Sequence, residues 1–198
     1  MKKGILLILY SLFFQIIQAQ DNLQHLLFEL PDVLFQSIKT PDNYTKAYEL
    51  KIKQPLDHKH PERGYFYQRV FLSHISFNAP TVIITECYNK GRNHISELTR
   101  LLKANQIDVE HRFYGKSIPD SLDYKYLNLE QATADLHHIN QLFKQLYKNK
   151  WISTGISKGG QTSIFYRYFY PDDVSVTVPY VAPLNLEFEE KRIYNFLD

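Results

Sequence analysis

The stretch "WISTGISKGG", residues 151–160, decides the fold. Apolar and β-branched residues run into a serine set among small neighbours: Gly155, Ser157, Gly159 and Gly160. The segment "KWISTGI" has the make-up of a strand, and "SKGGQTSIFYRYFY" that of a helix. A G-x-S-x-G pattern at a strand-to-helix junction is the setting of a nucleophile on a strained turn, with its Oγ lifted above the sheet. Glycines on either side let the strand and the helix pass closely without Cβ clashes. The helix that follows directs its N–H groups and the positive end of its dipole to the place where an oxyanion would form. The backbone N–H of Lys158 is therefore a candidate donor to that oxygen. The competing reading, a small residue in a tight turn, fits the pattern but not its place between a strand and a helix.

Working outward, "APTVIITECYN" (79–89) is a short continuous run rich in β-branched residues, the mark of a strand buried on both faces. In "NHISELTRLLKAN" (93–105), Ile95, Leu98, Leu101 and Leu102 recur at helical spacing, with Asn105 as the stop. "QIDVEHRFYGKS" (106–117) is a strand running into a loop. The clearest helix lies in 126–150, with an apolar stripe of Leu129, Ala132, Leu136, Ile139, Phe143 and Leu146, and with Asn128 and Gln131 as a cap pair. "DVSVTVPYVAPL" (173–184) is again a strand. Before all of these, 21–45 is a mixed lead-in, and 48–58 and 64–76 alternate as antiparallel strands do. The order predicts an α/β fold in which 79–86, 107–112, 150–155 and 174–181 form adjacent parallel strands, with the elbow strand beside 79–86 and helices on both faces. A second oxyanion donor is then expected in the loop "ECYNKGRNH" (86–94), from the backbone at Cys87 or Tyr88; the lipase-type "HGGG" is absent.

Lys2 and Lys3, an uncharged apolar run to Ile17, and "QAQD" have the order of a signal peptide cut after Ala19 or Gln20. The run is shorter than the ~20 apolar residues a membrane-spanning helix needs. The expected division is a signal peptide over 1–20 and a domain over 21–198, secreted or periplasmic and off the membrane once cleaved. Without the leader the formal charge of +2 falls to zero, and no basic stripe marks a nucleic-acid partner. A 44% hydrophobic content is that of a globular core. The single cysteine, Cys87, is either a buried thiol or half of a bridge. The pairs His58/His60 and His137/His138 lack metal-ligand spacing, so neither a metal nor a cofactor is expected.

The combination of "EHRFYGKS" (110–117) with "TECYN" (85–89), "QRVFLSH" (68–74) and "GISKGGQT" (155–162) resembles secreted serine exopeptidases of the prolyl carboxypeptidase and dipeptidyl peptidase II type. It is most similar to the secreted bacterial prolyl tripeptidyl and tetrapeptidyl aminopeptidases. The resemblance implies an α/β-hydrolase fold with a helical cap inserted after the strand at 174–184. It implies a hydrolase cleaving short proline-containing peptides from a free N-terminus, with Ser157 as nucleophile. It makes Glu110, and more weakly Glu86, candidate anchors for the substrate's amino group; for Glu110 a salt bridge to Arg112 or His111 is the alternative. Such enzymes order their triad Ser, then Asp or Glu, then His. All eight histidines stand before Ser157, and Asp172 and Asp173 fall in a turn too early for the acid. The expectation is an N-terminal fragment, truncated and inactive as it stands, whose oligomeric state the sequence leaves open. An esterase or lipase of the same fold, and a non-catalytic exported binding protein on that scaffold, are the competing functions.

Overall fold

The computed structural model describes residues 23–86, 88–184 and 191–197. The expected signal segment and Cys87 lie outside the described residues. Seven strands form one sheet: β1 (Val33–Ser37), β2 (Lys46–Pro55), β3 (Tyr65–His74), β4 (Thr81–Thr85), β5 (Asn105–Val109), β6 (Trp151–Ile156) and β7 (Val176–Tyr180). Their order across the sheet is β1-β2-β3-β5-β4-β6-β7. The first three pair antiparallel, β3 meets β5 antiparallel, and β5, β4, β6 and β7 are parallel neighbours. The four parallel strands and the elbow strand's place beside β4 match the reading of the sequence. The lead-in proves more ordered than its composition suggests: it holds a helix, α1, over 23–29 and the added edge strand β1.

The side-chain period of two along each strand divides the core between two faces. Leu50, Val70, Leu72, Ile83, Ile107 and Val109 turn to one face, where they meet Leu23 and Leu27 of α1 and Leu136, Ile139 and Phe143 of α3 (Leu129–Lys144). Val82, Ile84 and Ile152 turn to the other and pack with Leu98 of the short helix α2 (Glu97–Leu102). The Asn128 side chain caps α3 by accepting from the Gln131 N–H, and a glutamate in the first turn and a lysine in the last suit the dipole. α2 ends earlier than its apolar spacing suggests. Lys103 takes a left-handed conformation and Asn105 opens β5 instead of stopping the helix; Leu101 is left 77% exposed. The turn is set by Asn105, whose Oδ1 accepts from the Ile75 and Ser76 N–H groups and so belongs to the sheet.

After β6 the chain enters α4 (Lys158–Phe169), which packs on β6, β7 and α3. Leaving β4 the chain turns to the α2 face, and leaving β6 it turns to the α3 face. Two adjacent parallel strands whose exits diverge in this way open a crevice at their carboxyl ends, where ligands of such sheets bind. β7 is the last strand among the described residues, with Val176 and Tyr180 exposed. A further helix, α5 (Lys191–Leu197), closes the described chain. Among the described residues no helix is long and apolar enough to cross a membrane.

Candidate active site

Three loops leave the carboxyl ends of β4, β5 and β6 side by side. Ser157 stands on the third, at φ 55° and ψ −121°, a left-handed conformation that a side chain rarely adopts. Two contacts hold it there. Its N–H donates to the Tyr180 carbonyl of β7 at 3.0 Å, and the Thr85 hydroxyl at the end of β4 donates to the Gly159 carbonyl at 2.7 Å. The close approach of strand and helix needs Gly155: a Cβ there would lie 2.5 Å from the Gly159 carbonyl carbon and 2.6 Å from Thr85 Oγ1. Ser157 itself is exposed, and the helix begins at Lys158. The N–H groups of a helix's first turn point out of its end, which here is the Ser157 side.

The loop after β4 lies against the elbow. The Lys158 ammonium stands 5.7 Å from the centre of the Tyr88 ring, and Tyr88 packs edge-on against Tyr114 of the β5 loop. The His111 N–H donates to the Tyr88 carbonyl at 3.1 Å, tying the two loops through their backbones. Lys90 fixes the far end. Its ammonium ion-pairs with Asp108 at 2.7 Å and with Glu86, so one cation serves two carboxylates. Burial pushes the Asp108 carboxyl well above its ordinary range, and Lys90 pulls it back only in part. Burial would also lower Lys90, but Asp108 and Glu86 outweigh it and push the ammonium upward. Glu86 keeps partial exposure, about a quarter of its side chain.

Glu110 is fully buried, and its partner is neither Arg112 nor His111 but Arg69 of β3. The remaining lone pairs accept from the Lys90 N–H at 2.7 Å, the Lys116 N–H at 2.8 Å and the Ser117 hydroxyl at 2.9 Å. The carboxylate thus binds the β4 loop to the β5 loop. The loop folds tightly around it: Gly115 has φ +55°, and a Cβ there would lie 2.3 Å from Glu110 Oε2. Arg112 instead makes a two-pronged pair with Asp135 of α3, at 2.7 and 2.8 Å, and donates to the carbonyls of Pro55, Leu56 and Tyr126. His58 Nε2 lies 2.7 Å from the same carboxylate. Burial disfavours charge on Asp135, yet Arg112 and His58 prevail and hold its carboxyl below the usual range. The sequence did not expose this network, because its members come from three segments distant along the chain. A charged cluster at "EHR" was legible, its partners were not.

The histidines are engaged elsewhere. His137 pairs with Asp173 at 2.8 Å and His138 Nδ1 lies 2.8 Å from Gln54 Oε1, two different directions from adjacent helical positions. Asp173 also accepts from Tyr166 and Gln141. His111 lies close enough to the elbow to feel the charge of Lys158. Its Nδ1 is 2.9 Å from the Arg112 carbonyl, and burial followed by the charge of Lys158 pushes its pKa down to about 4.

An exposed serine in this backbone conformation, at the crevice of a β5-β4-β6-β7 parallel array, is equipped for nucleophilic attack on a carbonyl. Residues 19–197 match the model of the PS-10 peptidase S37 family. The chain belongs to that family. Residues over 89% of the chain are 36% identical to the prolyl tri/tetrapeptidyl aminopeptidase of Streptomyces mobaraensis, of which they span 37%. Over 54% of the chain, identity to the human lysosomal Pro-X carboxypeptidase is 31%, spanning 23% of that protein. The chain thus spans little more than a third of the first two curated relatives, and less of the human one. Among solved structures, acetyl xylan esterase 1 from Thermoanaerobacterium superposes with a TM-score of 0.57 at 13% identity, covering 87% of this chain and 60% of the esterase. That likeness speaks for the α/β-hydrolase fold. This S37 chain has serine peptidases as its homologues, and its sheet carries the elbow half of a hydrolase fold.

Proposed function

We propose that Ser157 is the nucleophile of an exported serine aminopeptidase that releases short proline-containing peptides from free N-termini. The observation that carries the reading is the exposed Ser157 at φ 55° and ψ −121° on the β6–α4 elbow, in a chain similar over most of its length to a prolyl tri/tetrapeptidyl aminopeptidase. The oxyanion formed on attack is met by the Lys158 N–H from the helix end and by a backbone N–H of the β4 loop at Cys87 or Tyr88. Of the two carboxylates proposed to anchor the substrate's amino group, Glu86 is the accessible one; Glu110 has its lone pairs taken by loop donors and serves by holding the loop that carries Glu86 and Tyr88. Residues 1–20 act as a signal peptide, leaving 21–198 as hydrolase domain.

None of the eight histidines of residues 1–198 is proposed as the general base. The hydrolase order places acid and histidine after the serine. All eight histidines precede Ser157, and those nearest it are bonded into the fold. Expressed alone, the chain should not turn over a chromogenic tripeptide ending in proline, whereas the peptidase extended with an Asp and a His at hydrolase spacing should, and Ser157→Ala in the extended enzyme should lower kcat by several orders of magnitude. Turnover by residues 1–198 that is lost on both Ser157→Ala and His111→Ala would replace this reading with a Ser–His pair internal to the chain.

A further inference from the structure

A second concavity lies away from the elbow. A cleft of about 1140 Å³ lies on the α2 face of the sheet, between the β1–β2 loop and the segment 91–95 with α2. Neither Ser157, Lys158 nor Tyr88 lines it. Its floor includes Phe71, which faces away from the α3 core, because its strand neighbours Val70 and Leu72 enter that core. Ile38, Pro41 and Ile95 add apolar wall.

Six cations line this cleft against two carboxylates, Asp42 and Glu49. Two of the six are already matched. Arg69 pairs with Glu110, and Lys116 reaches Glu49 at 3.2 Å. The other four, Lys39, Arg92, Arg100 and Lys103, make no ion pair among the described residues. Elsewhere on this molecule exposed lysines are of both kinds: Lys59 and Lys125 pair with Glu130 and Asp123, whereas Lys51, Lys148 and Lys150 make no ion pair among the described residues, so what sets this face apart is the gathering of four such cations at one hollow. Four unmatched cations gathered around one apolar-floored hollow, with a single unmatched acid among them, is a pattern that an anionic occupant completes and that solvent alone does not require.

We propose that the cleft docks an acidic peptide segment of another polypeptide, its carboxylates meeting Lys39, Arg92, Arg100 and Lys103 and its apolar side chains lying on Ile38 and Pro41, the partly exposed apolar residues of the wall. The hollow is larger than the ~300–1,000 Å³ typical of small-molecule sites, which fits a stretch of chain better than a single anion. Spaced cations over an apolar floor suit a ligand that alternates the two kinds of group, as a strand-like peptide does. The site is independent of the nucleophile, so it stands or falls apart from the peptidase reading.

The test is fluorescence anisotropy with the purified chain and a short fluorescein-labelled peptide alternating glutamate and leucine. Saturable binding is expected, weakened about tenfold by Arg100→Glu with Lys103→Glu, and weakened similarly by raising salt to screen the contacts. Lys39→Gln with Arg92→Gln, at exposed positions where folding is not at stake, should weaken it in the same direction. Lys148→Glu, an exposed cation after α3 on the opposite face, should leave it unchanged. Equal binding of the glutamine analogue, or equal loss with Lys148→Glu, would overturn the proposal. So would displacement of the peptide by an equal concentration of inorganic pyrophosphate, which would make the cleft a small-anion site. Self-association of the chain in sedimentation, abolished by the Arg100/Lys103 reversal, would assign the cleft to a second copy instead.

Discussion

The loops after β5 and β6 sit side by side at the same end of the sheet, and each is held in an improbable shape by opposite means. The β6 elbow is held by sterics. Ser157 keeps its left-handed backbone because Gly155 admits the helix and because Thr85 and Tyr180 supply hydrogen bonds from two neighbouring strands. The β5 loop is held by charge: Glu110 gathers Arg69 and three loop donors, while Arg112 gathers Asp135 and three carbonyls. The difference teaches what each loop is for. A nucleophile must be reachable, so its support comes from the backbone beneath it and leaves the hydroxyl exposed. A supporting loop has no such need, and buried carboxylates paired with arginines and loop donors make it stiff, at the cost of a large penalty when a partner is removed.

The severest way to break the contrast is Asp135→Asn. It leaves the Arg112 guanidinium buried without a counter-charge, and should cost about 3–5 kcal/mol, enough to unfold a marginal domain. Urea unfolding followed by circular dichroism reads this directly; a loss below about 1 kcal/mol would show that the charges do not hold the β5 loop. Gly155→Ala attacks the steric side. The added methyl meets backbone, which cannot move aside as a flexible side chain would, and about 1–3 kcal/mol of destabilisation is expected. If the methyl is accommodated without cost, the elbow is not held by close approach.

Acid should single out the charged side. Burial pushes the pKa of His111 down to about 4, and that of His74 likewise, so both are neutral in the folded chain at pH 7. Between their ordinary value near 6.5 and about 4 the unfolded chain binds more protons than the folded one. Stability from these groups is therefore fully present above 6.5 and is lost as pH falls through that window, on the order of 1–2 kcal/mol for His111. Urea midpoints measured at pH 7 and pH 4.5 should converge in His111→Gln relative to the parent chain; identical slopes would refute the shift. The smallest change is a gain. Ser157→Gly removes a side chain from a left-handed conformation and should stabilise the chain by about 1 kcal/mol while removing the nucleophile. A Ser157→Gly variant no more stable than its parent would mean the elbow stores no strain.

From β2 onward the sequence by itself determined the order of strands and helices, the four parallel strands, and the elbow with Ser157 at its tip, because those features rest on the period of apolar residues and on glycines acting over a few positions; α1 and β1 in the lead-in it did not show. It also located the loops that meet Ser157, since βαβ order sends the exits of β4, β5 and β6 to one end of the sheet. Tertiary structure alone decided which charges pair. Arg69 and Glu110 are 41 residues apart, and they meet because Val70 of β3 stands opposite Val109 of β5, a register no local pattern encodes. Arg112 passes over its own neighbours to reach Asp135 for the same reason: in a buried site the partner is chosen by which carboxylate the packing brings within hydrogen-bond distance, not by which is nearest in the chain. The basic cleft was equally invisible. Lys39, Arg92, Arg100 and Lys103 are scattered in sequence, and only the fold gathers them around one hollow, where Asp42 and Glu49 are the only carboxylates among the lining residues.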